Sequence, residues 1–291
     1  MKDFEYSAAA TIDEAVSLLA RWGDRAKVLT GGTDLIVQLR EGQREADMVI
    51  DVKKIPQLME SSYSREKGWR LGAAVPCHRI YEHAEVADAY PGLADAARII
   101  GGWQIQSRAS IGGNLCNASP AADSIPILIA YHATCRIAGP NGERTVPVAQ
   151  FCVGPGRNQL ARGEILVSLD FPPSLPRSSG AYLRFIPRNE MDIAVVGVGS
   201  WVQLNARGDA IEAARIGLGA VAPTPLVAEQ ASLWLCGKPA NDDTFAQAGE
   251  LARLVARPIS DKRGPAEYRT HLVGVLTKRT LAIATKRARE T

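Results

Sequence analysis

The 291-residue chain has little of what marks membrane, exported or nucleic-acid-binding proteins. Its formal net charge is only +3, so no overall electrostatic field would draw it to nucleic acid or to a membrane surface. It has no run of about 18 apolar residues, which argues against a transmembrane helix. The first six residues lack a basic segment followed by an apolar run, so we expect no secretory signal and a cytoplasmic location.

Cysteine and histidine are scarce and unclustered. The five cysteines include no Cys-x-x-Cys pair, and their number is odd. We therefore expect reduced, mostly buried thiols rather than a disulfide framework. The four histidines form no group with carboxylates or thiols at metal-ligand spacing, so we predict no metal site. No Gly-x-Ser-x-Gly elbow occurs, so we predict no catalytic nucleophile.

What remains is the composition of a globular protein, with 46% hydrophobic and 22% charged residues and a length that suggests two domains or three small ones. Residue periodicity predicts a mixed α/β half, then three strands, then three helices. We expect 104–126 to be irregular, 172–180 to be a linker and 224–225 to begin a helix. The other predicted strands are 26–29, 48–52, 69–75, 134–138, 144–148, 164–171, 182–186, 194–204 and 211–220, and the other helices are 12–22, 35–39, 92–100, 243–256 and 268–287.

Three Gly-Gly pairs stand at 31–32, 101–102 and 112–113, each beside a predicted element. Glycine lets backbone amides approach a bulky anion closely and adopt positive φ. One such pair is as well explained by a tight turn, but three with polar residues between them favour a nucleotide cofactor bound between two lobes. The chain lacks the Gly-Lys phosphate loop and the G-x-G-x-x-G turn, which argues against a P-loop enzyme and a standard Rossmann site.

Two carboxylates and two arginines stay open to more than one interpretation. Asp34 and Asp123 could form a catalytic pair, although hydrogen bonding to a ribose or near a phosphate is the simpler role. Arg184 and Arg188 lie on or near a predicted strand, where they could be ion-paired or contact the cofactor.

Several motifs carry a family resemblance. They are, in chain order, KVLTGGTDL at 27–35, QIQSRASIGGNL at 104–115, NASPAAD at 117–123, EILVS at 164–168, RNEMDIAVVG at 188–197 and GAVAPTP at 219–225. Together they resemble the FAD-binding, or medium, subunit of molybdenum hydroxylases, the family that includes xanthine dehydrogenase and carbon monoxide dehydrogenase. The resemblance covers essentially the whole chain in the right order.

The resemblance implies an α+β fold. It implies a two-lobed α/β FAD-binding domain at 1–177, with lobes at about 1–57 and 58–177, as in the vanillyl-alcohol-oxidase-like FAD fold. A C-terminal domain at 178–291, made of a small antiparallel sheet and a helical bundle, would follow. The cysteine-rich insertion of benzoyl-CoA-type reductases is missing from the sequence, so we expect no iron–sulfur cluster on this chain.

The resemblance also implies which residues bind the cofactor. The first motif would wrap the pyrophosphate, the second would contact phosphate, ribose and the isoalloxazine side, and Leu166 would lie against the adenine. Arg184 stands where relatives commonly have Lys, and Ile193 stands where some have an aromatic residue on the flavin. The implied cofactor-binding residues are Lys27, Val28, Leu29, Thr30, Gly31, Gly32, Thr33, Asp34, Leu35, Ile100, Gly101, Ala109, Ser110, Gly113, Asn114, Ser119, Ala121, Asp123, Leu166 and Arg184.

The implied function is electron transfer. FAD on this chain would take electrons from two [2Fe–2S] clusters of a small subunit and pass them to an external acceptor, while a large subunit would hydroxylate the substrate at a molybdenum–pterin centre. A dimer of such heterotrimers is typical of the family. Two alternatives remain, a self-sufficient FAD-dependent oxidoreductase and a non-catalytic nucleotide-binding assembly subunit. The sequence names neither the substrate nor the acceptor, which could be NAD, oxygen or a quinone.

Overall fold

The computed structural model describes residues 2–188 and 191–291. The chain begins with a three-stranded parallel sheet, the N-terminal sheet, whose strand order is β1-β3-β2. Its elements are β1 Glu5–Ala8, α1 Ile12–Trp22, β2 Ala26–Leu29, α2 Leu35–Arg40 and β3 Met48–Asp51. Because the strands are parallel, their carboxyl ends meet at one edge, and the first Gly-Gly pair follows β2 at that edge.

The predicted helix 12–22 is confirmed, and so is its capping pattern. Thr11 Oγ1 accepts a hydrogen bond from the Glu14 amide at 3.1 Å, and Glu14 Oε2 accepts one from the Ala10 amide at 2.8 Å. Both side chains therefore bond amides at the helix start that would otherwise lack partners.

A five-stranded antiparallel sheet, the central sheet, forms the middle of the chain, with strand order β4-β5-β10-β6-β7. Its central strand β10, Ile165–Phe171, is buried on both faces, although its sequence pattern predicts one buried side. The remaining elements are α3 Pro56–Met59, β4 Ser61–Ser64, β5 Gly68–Gly72, α4 His78–Glu82, α5 Ala84–Ala89, α6 Pro91–Ala97, α7 Trp103–Gln106, α8 Ile111–Cys116, α9 Ser124–Ala130, β6 Thr134–Gly139, β7 Gly142–Pro147, α10 Val148–Phe151, β8 Cys152–Gly154 and β9 Arg157–Asn158.

The last part of the chain is an antiparallel sheet, the C-terminal sheet, with three helices after it. The elements are β11 Ser178–Phe185, β12 Val196–Leu204, β13 Ile211–Gly219, β14 Leu226–Val227, α11 Glu229–Trp234, α12 Asp242–Arg253 and α13 Ala266–Glu290. Helix α13 packs on one face of β11 and β12, where Ser200 Oγ lies 2.7 Å from Thr280 Oγ1. The other face receives α9.

Glycines make that second contact possible. Gly199 and Gly217 are paired across β12 and β13, and a Cβ on either would lie 2.6 Å or less from the backbone of Pro126 or Ile127. Since there is no side chain on these glycines, α9 lies directly on the sheet. The predicted α+β class, with a mixed α/β part followed by an antiparallel sheet and helices, is confirmed. None of the helices in 2–188 and 191–291 is long and apolar enough to span a membrane.

Three local predictions are wrong. The segment 104–126 contains α7, α8 and the start of α9, because helices of four to seven residues are too short to show a hydrophobic period. The linker ends earlier than predicted, since β11 already includes Ser178 to Gly180. Gly180 lies within strand β11 and does not interrupt it. A glycine is needed there because a Cβ would lie 2.5 Å from Tyr131 Oη. Residues 224–225 lead into strand β14, and the helix begins only at Glu229.

A charged contact joins α13 to the middle of the chain. The Arg287 guanidinium donates to both carboxylate oxygens of Asp95 at 2.7 and 3.0 Å, and to the Gly180 carbonyl at 2.9 Å. The side chains of Arg287 and Asp95 are 31% and 27% exposed, so water screens this pair only in part.

We expect Arg287→Met to lower the free energy of unfolding by about 2 kcal/mol, because it leaves a partly buried carboxylate without its cation. Arg207→Met is the matched control, since Arg207 pairs with Asp209 at 3.4 Å on the surface with 82% of its side chain exposed. Denaturant unfolding of both variants tests this. Equal stability of the two variants would contradict it.

Candidate cofactor-binding site

A cleft of about 560 Å³ lies where the N-terminal, central and C-terminal sheets come together. All the residues assigned to the cofactor above line it except Leu29. Leu29 packs instead against a small hydrophobic cluster that includes Leu39 and Val49. The sequence motifs thus converge on one place in the fold, although Lys27 in the first motif and Ile193 in the motif at 188–197 are 166 residues apart.

The first wall of the cleft is the loop after β2. Gly32 has φ +74°, and a Cβ on Gly31 would lie 2.1 Å from the Arg108 carbonyl oxygen. Within the described part of the chain, the amides of residues 31–35 donate to no protein acceptor. A run of free amides beside a cleft is a suitable binding surface for an anion.

The second wall is the start of α8, which meets the first loop through two hydroxyls. Ser110 Oγ accepts from the Gly113 amide at 3.1 Å and lies 3.3 Å from Thr30 Oγ1. A Cβ on Gly113 would be 2.8 Å from Thr30 Oγ1, so this glycine keeps the junction narrow. Gly112 has a packing role instead, since its Cβ would lie 2.4 Å from the Ala73 carbonyl oxygen.

The Gly-Gly pair at 101–102 contributes only one residue to the cleft. Gly101 lines it with φ +61°, next to Ile100 and Ile105, while Gly102 is absent from its lining among the described residues. Ile105 packs close to Gly101, with its Cβ 2.7 Å from where a Gly101 side chain would begin. The pair therefore shapes an apolar part of the cleft.

A buried ion pair closes the side of the cleft that faces the C-terminal sheet. Asp123 Oδ2 accepts from Arg184 Nη1 at 2.7 Å, and Asp123 Oδ1 accepts from the Tyr182 hydroxyl at 2.8 Å. The Asp123 and Arg184 side chains are 11% and 6% exposed. Burial raises the pKa of the Asp123 carboxyl, and the Arg184 guanidinium and the Tyr182 hydroxyl oppose that rise. Tyr182 and Arg184 are two residues apart on β11 and therefore share a face of the strand.

Asp34 and Asp123 are engaged separately rather than with each other. Asp34 Oδ2 accepts from Asn117 Nδ2 at 2.7 Å, whereas Asp123 is bonded to β11. Arg188 lies beyond the end of β11 and pairs with Asp192 at 3.2 Å. Asn189 and Glu190, which belong to the motif at 188–197, lie outside the described residues. Ile193 lines the cleft with half of its surface exposed.

Several further residues line the cleft but are not among the implied cofactor-binding residues. They are Gln38, Arg44, Leu58, Ala73, Ile105, Gly112, Cys116, Asn117, Ala122, Leu160, Glu164, Ile165, Met191, Asp192 and Ile193. Asn117 and Glu164 stand inside quoted motifs and were within reach of sequence reasoning. Leu58 and Ala73 are core residues whose place beside the cleft depends only on how the sheets pack.

The titratable groups of the cleft are mostly paired or buried. Hydrogen bonding from Arg144 at 2.7 Å lowers the pKa of Glu164, and hydrogen bonding from Arg188 lowers the pKa of Asp192. Burial raises the pKa of the Cys116 thiol to about 12, so it is a poor nucleophile at neutral pH. Each described carboxylate at the cleft already has a hydrogen-bond donor.

Two buried polar atoms of the lining remain unpaired within the described structure. They are Arg184 Nε, a donor, and Gln38 Oε1, an acceptor. Buried polar atoms without partners are costly unless a ligand or water satisfies them. Free amides, one unpaired donor and one unpaired acceptor suit a ligand that carries an anionic group and a hydrogen-bonding ring.

Comparison with known proteins identifies the family. Residues 2–174 match the model of the FAD-binding domain in molybdopterin dehydrogenase, and residues 181–284 match the C-terminal domain of CO dehydrogenase flavoprotein. The chain belongs to this family. Its cofactor is therefore FAD, and it is a subunit of an oxidoreductase.

Individual relatives match over nearly their whole length. The chain is 33% identical over 286 residues to a xanthine dehydrogenase FAD-binding subunit of Escherichia coli O157:H7, covering 98% of this chain and 97% of that one. It is 32% identical over 283 residues to the carbon monoxide dehydrogenase medium chain of Hydrogenophaga pseudoflava, with coverage of 97% and 96%.

Solved structures agree. A carbon monoxide dehydrogenase structure from Hydrogenophaga pseudoflava superposes with a TM-score of 0.93 at 31% identity, covering 98% of both chains. Quinoline 2-oxidoreductase from Pseudomonas putida 86 superposes with a TM-score of 0.90 at 29% identity, covering 99% of both chains.

We expect Asp123→Asn to weaken FAD binding at least about tenfold, because it disturbs a charge-assisted bond that fixes Arg184 at the cleft. Asp95→Asn is the matched control, because Asp95 also binds β11, through the Tyr182 amide at 3.2 Å, but is not part of the described lining. Equilibrium titration of the flavin-free chain with FAD measures the effect. Equal weakening in both variants would contradict a specific role for Asp123.

We expect Gly113→Val to yield protein with little bound FAD, with Gly113→Ala intermediate. A side chain there displaces the Thr30 and Ser110 hydroxyls and enters the space between the two loops. The ratio of flavin absorbance to protein absorbance after gel filtration measures occupancy, and circular dichroism checks folding. Full occupancy in a folded Gly113→Val variant would remove the start of α8 from the site.

Proposed function

We propose that this chain is the electron-transfer subunit of a heterotrimeric molybdenum hydroxylase. Its FAD would receive electrons from the [2Fe–2S] clusters of a small subunit and deliver them to an external acceptor. A large subunit would carry the molybdenum–pterin centre, and two heterotrimers would form a dimer in the cytoplasm. We also propose that the chain divides at 177/178 into the FAD-binding and C-terminal domains.

The observation that carries this proposal is the state of the carboxylates in the cleft. A flavoenzyme that oxidises its own substrate commonly uses an acid or base beside the flavin to move the substrate's protons. The four carboxylates of the described lining, on Asp34, Asp123, Glu164 and Asp192, are each bonded to a side-chain donor. This favours a site that holds a cofactor over one that also moves substrate protons.

The residues of the chain bind and orient the cofactor. FAD, when bound, exchanges electrons with both one-electron and two-electron partners. The free amides at 31–35 would hold its diphosphate, and the unpaired Arg184 Nε would donate to the ring system or to a phosphate oxygen.

Names of the relatives support the assembly. The carbon monoxide dehydrogenase match is a medium chain, and the xanthine dehydrogenase match is an FAD-binding subunit. Both names describe one part of a larger enzyme. The chain matches 96–97% of the length of these two relatives, which supports the same role for it.

Purification of the tagged chain from its native host tests the proposal. We expect two co-purifying subunits, an absorption spectrum with flavin and iron–sulfur bands, molybdenum, and about four iron atoms for each FAD. After anaerobic reduction, recovery of the flavin band on addition of NAD, a quinone or oxygen would identify the acceptor. Flavin without partners would favour the self-sufficient oxidoreductase, and partners without flavin would favour the assembly subunit.

A further inference from the structure

Two cationic side chains outside the described lining of the cleft donate hydrogen bonds to the loop after β2, residues 30–34. Lys53 Nζ donates to the Thr30 carbonyl oxygen at 2.9 Å, and Arg108 Nε donates to the Gly31 carbonyl oxygen at 3.2 Å. Lys53 follows β3 and Arg108 follows α7, so they reach the loop from different parts of the fold. Neither is among the described residues that line the cleft.

The orientation of these carbonyls decides where the next amides point. In a trans peptide the C=O of one residue and the N–H of the next point in opposite directions. With the Thr30 and Gly31 carbonyls turned toward Lys53 and Arg108, the amides of Gly31 and Gly32 point away from these two cations, and both glycines line the cleft. Both amides are among those without an acceptor in the described chain. Because glycine can adopt a wide range of φ and ψ, these peptides need the hydrogen bonds from Lys53 and Arg108 to stay in one orientation.

Lys53 is itself held in place. Asp51 Oδ1 accepts from Lys53 Nζ at 2.8 Å and from the Lys53 amide at 2.9 Å, and Asp51 Oδ2 accepts from the Tyr6 hydroxyl at 2.8 Å. The Asp51 and Lys53 side chains are 13% and 29% exposed. A carboxylate that neutralises a lysine weakens its long-range pull on an anion, so the arrangement serves orientation better than attraction.

We propose that Lys53 is a positioning residue for the diphosphate of FAD, with Arg108 as its counterpart on the other side of the loop. Lys53 acts through the Thr30–Gly31 peptide and does not touch the cofactor. The inference rests on the proposed FAD site and adds the device that turns its amides toward the phosphate oxygens.

The test compares ligands with and without phosphate on the full-length chain freed of flavin. We expect Lys53→Met to weaken FAD and ADP binding about tenfold and to leave riboflavin binding unchanged, because only the phosphates meet the reoriented amides. Lys54→Met is the matched control, a neighbouring exposed lysine with no hydrogen bond or ion pair among the described contacts. It should bind all three ligands as the unaltered chain does.

A second variant separates orientation from charge. Asp51→Asn makes the region more positive, so an effect of charge alone would tighten ADP binding. Loss of the carboxylate that fixes Lys53 should instead weaken it. Arg108→Met should give the pattern of Lys53→Met, and it provides an independent test if Lys53→Met fails to fold.

Tighter ADP binding by Asp51→Asn would overturn the inference. Unchanged ADP binding by folded Lys53→Met would overturn it as well, and so would equal losses for ADP and riboflavin. In each of these cases the unaltered chain would still bind FAD, and the proposed function would stand. Failure of the unaltered chain to bind FAD would overturn the proposed function itself.

Discussion

The contact between Gly31 and Arg108 is the constraint on which the rest of the site depends. There the loop after β2 lies against the backbone that leads into α8, and a Cβ on Gly31 would lie 2.1 Å from the Arg108 carbonyl oxygen. This approach brings Thr30 beside Ser110 and sets Gly113 at the junction. It also places Arg108 Nε within hydrogen-bond distance of the Gly31 carbonyl. Because Gly31 has no side chain, the loop after the N-terminal sheet can contact the backbone of the central part of the chain.

A second contact ties the C-terminal sheet to the same cleft. Helix α9 lies on the glycines of β12 and β13, and Asp123, immediately before α9, pairs with Arg184 on β11. The ion pair is nearly buried, and removing one partner from such a pair is costly. The packing of α9 and the position of Arg184 are therefore parts of one arrangement. Substitutions in the C-terminal sheet that shift α9 or Arg184 should therefore also weaken FAD binding.

The sequence was most informative where the pattern that predicts an element lies entirely within that element. The capping pattern at Thr11 and the long helices α12 and α13 were predictable because their signals are local. The short helices of 104–126 and the strand β14 were not, because a few residues carry no period. Gly180 was misread as a breaker, although packing against Tyr131 explains it.

The sequence by itself determined the family, the cofactor class and more than half of the residues that surround the cleft, because these residues lie in motifs that are recognisable by their order along the chain. Tertiary structure alone decided which partner each residue has. It separated Asp34 from Asp123, sent Leu29 into a hydrophobic cluster and placed Lys53 and Arg108 behind the loop. The physical reason is that hydrogen bonds and close backbone contacts form between segments far apart in the chain. Such contacts depend on how the sheets pack, which no local pattern of residues records.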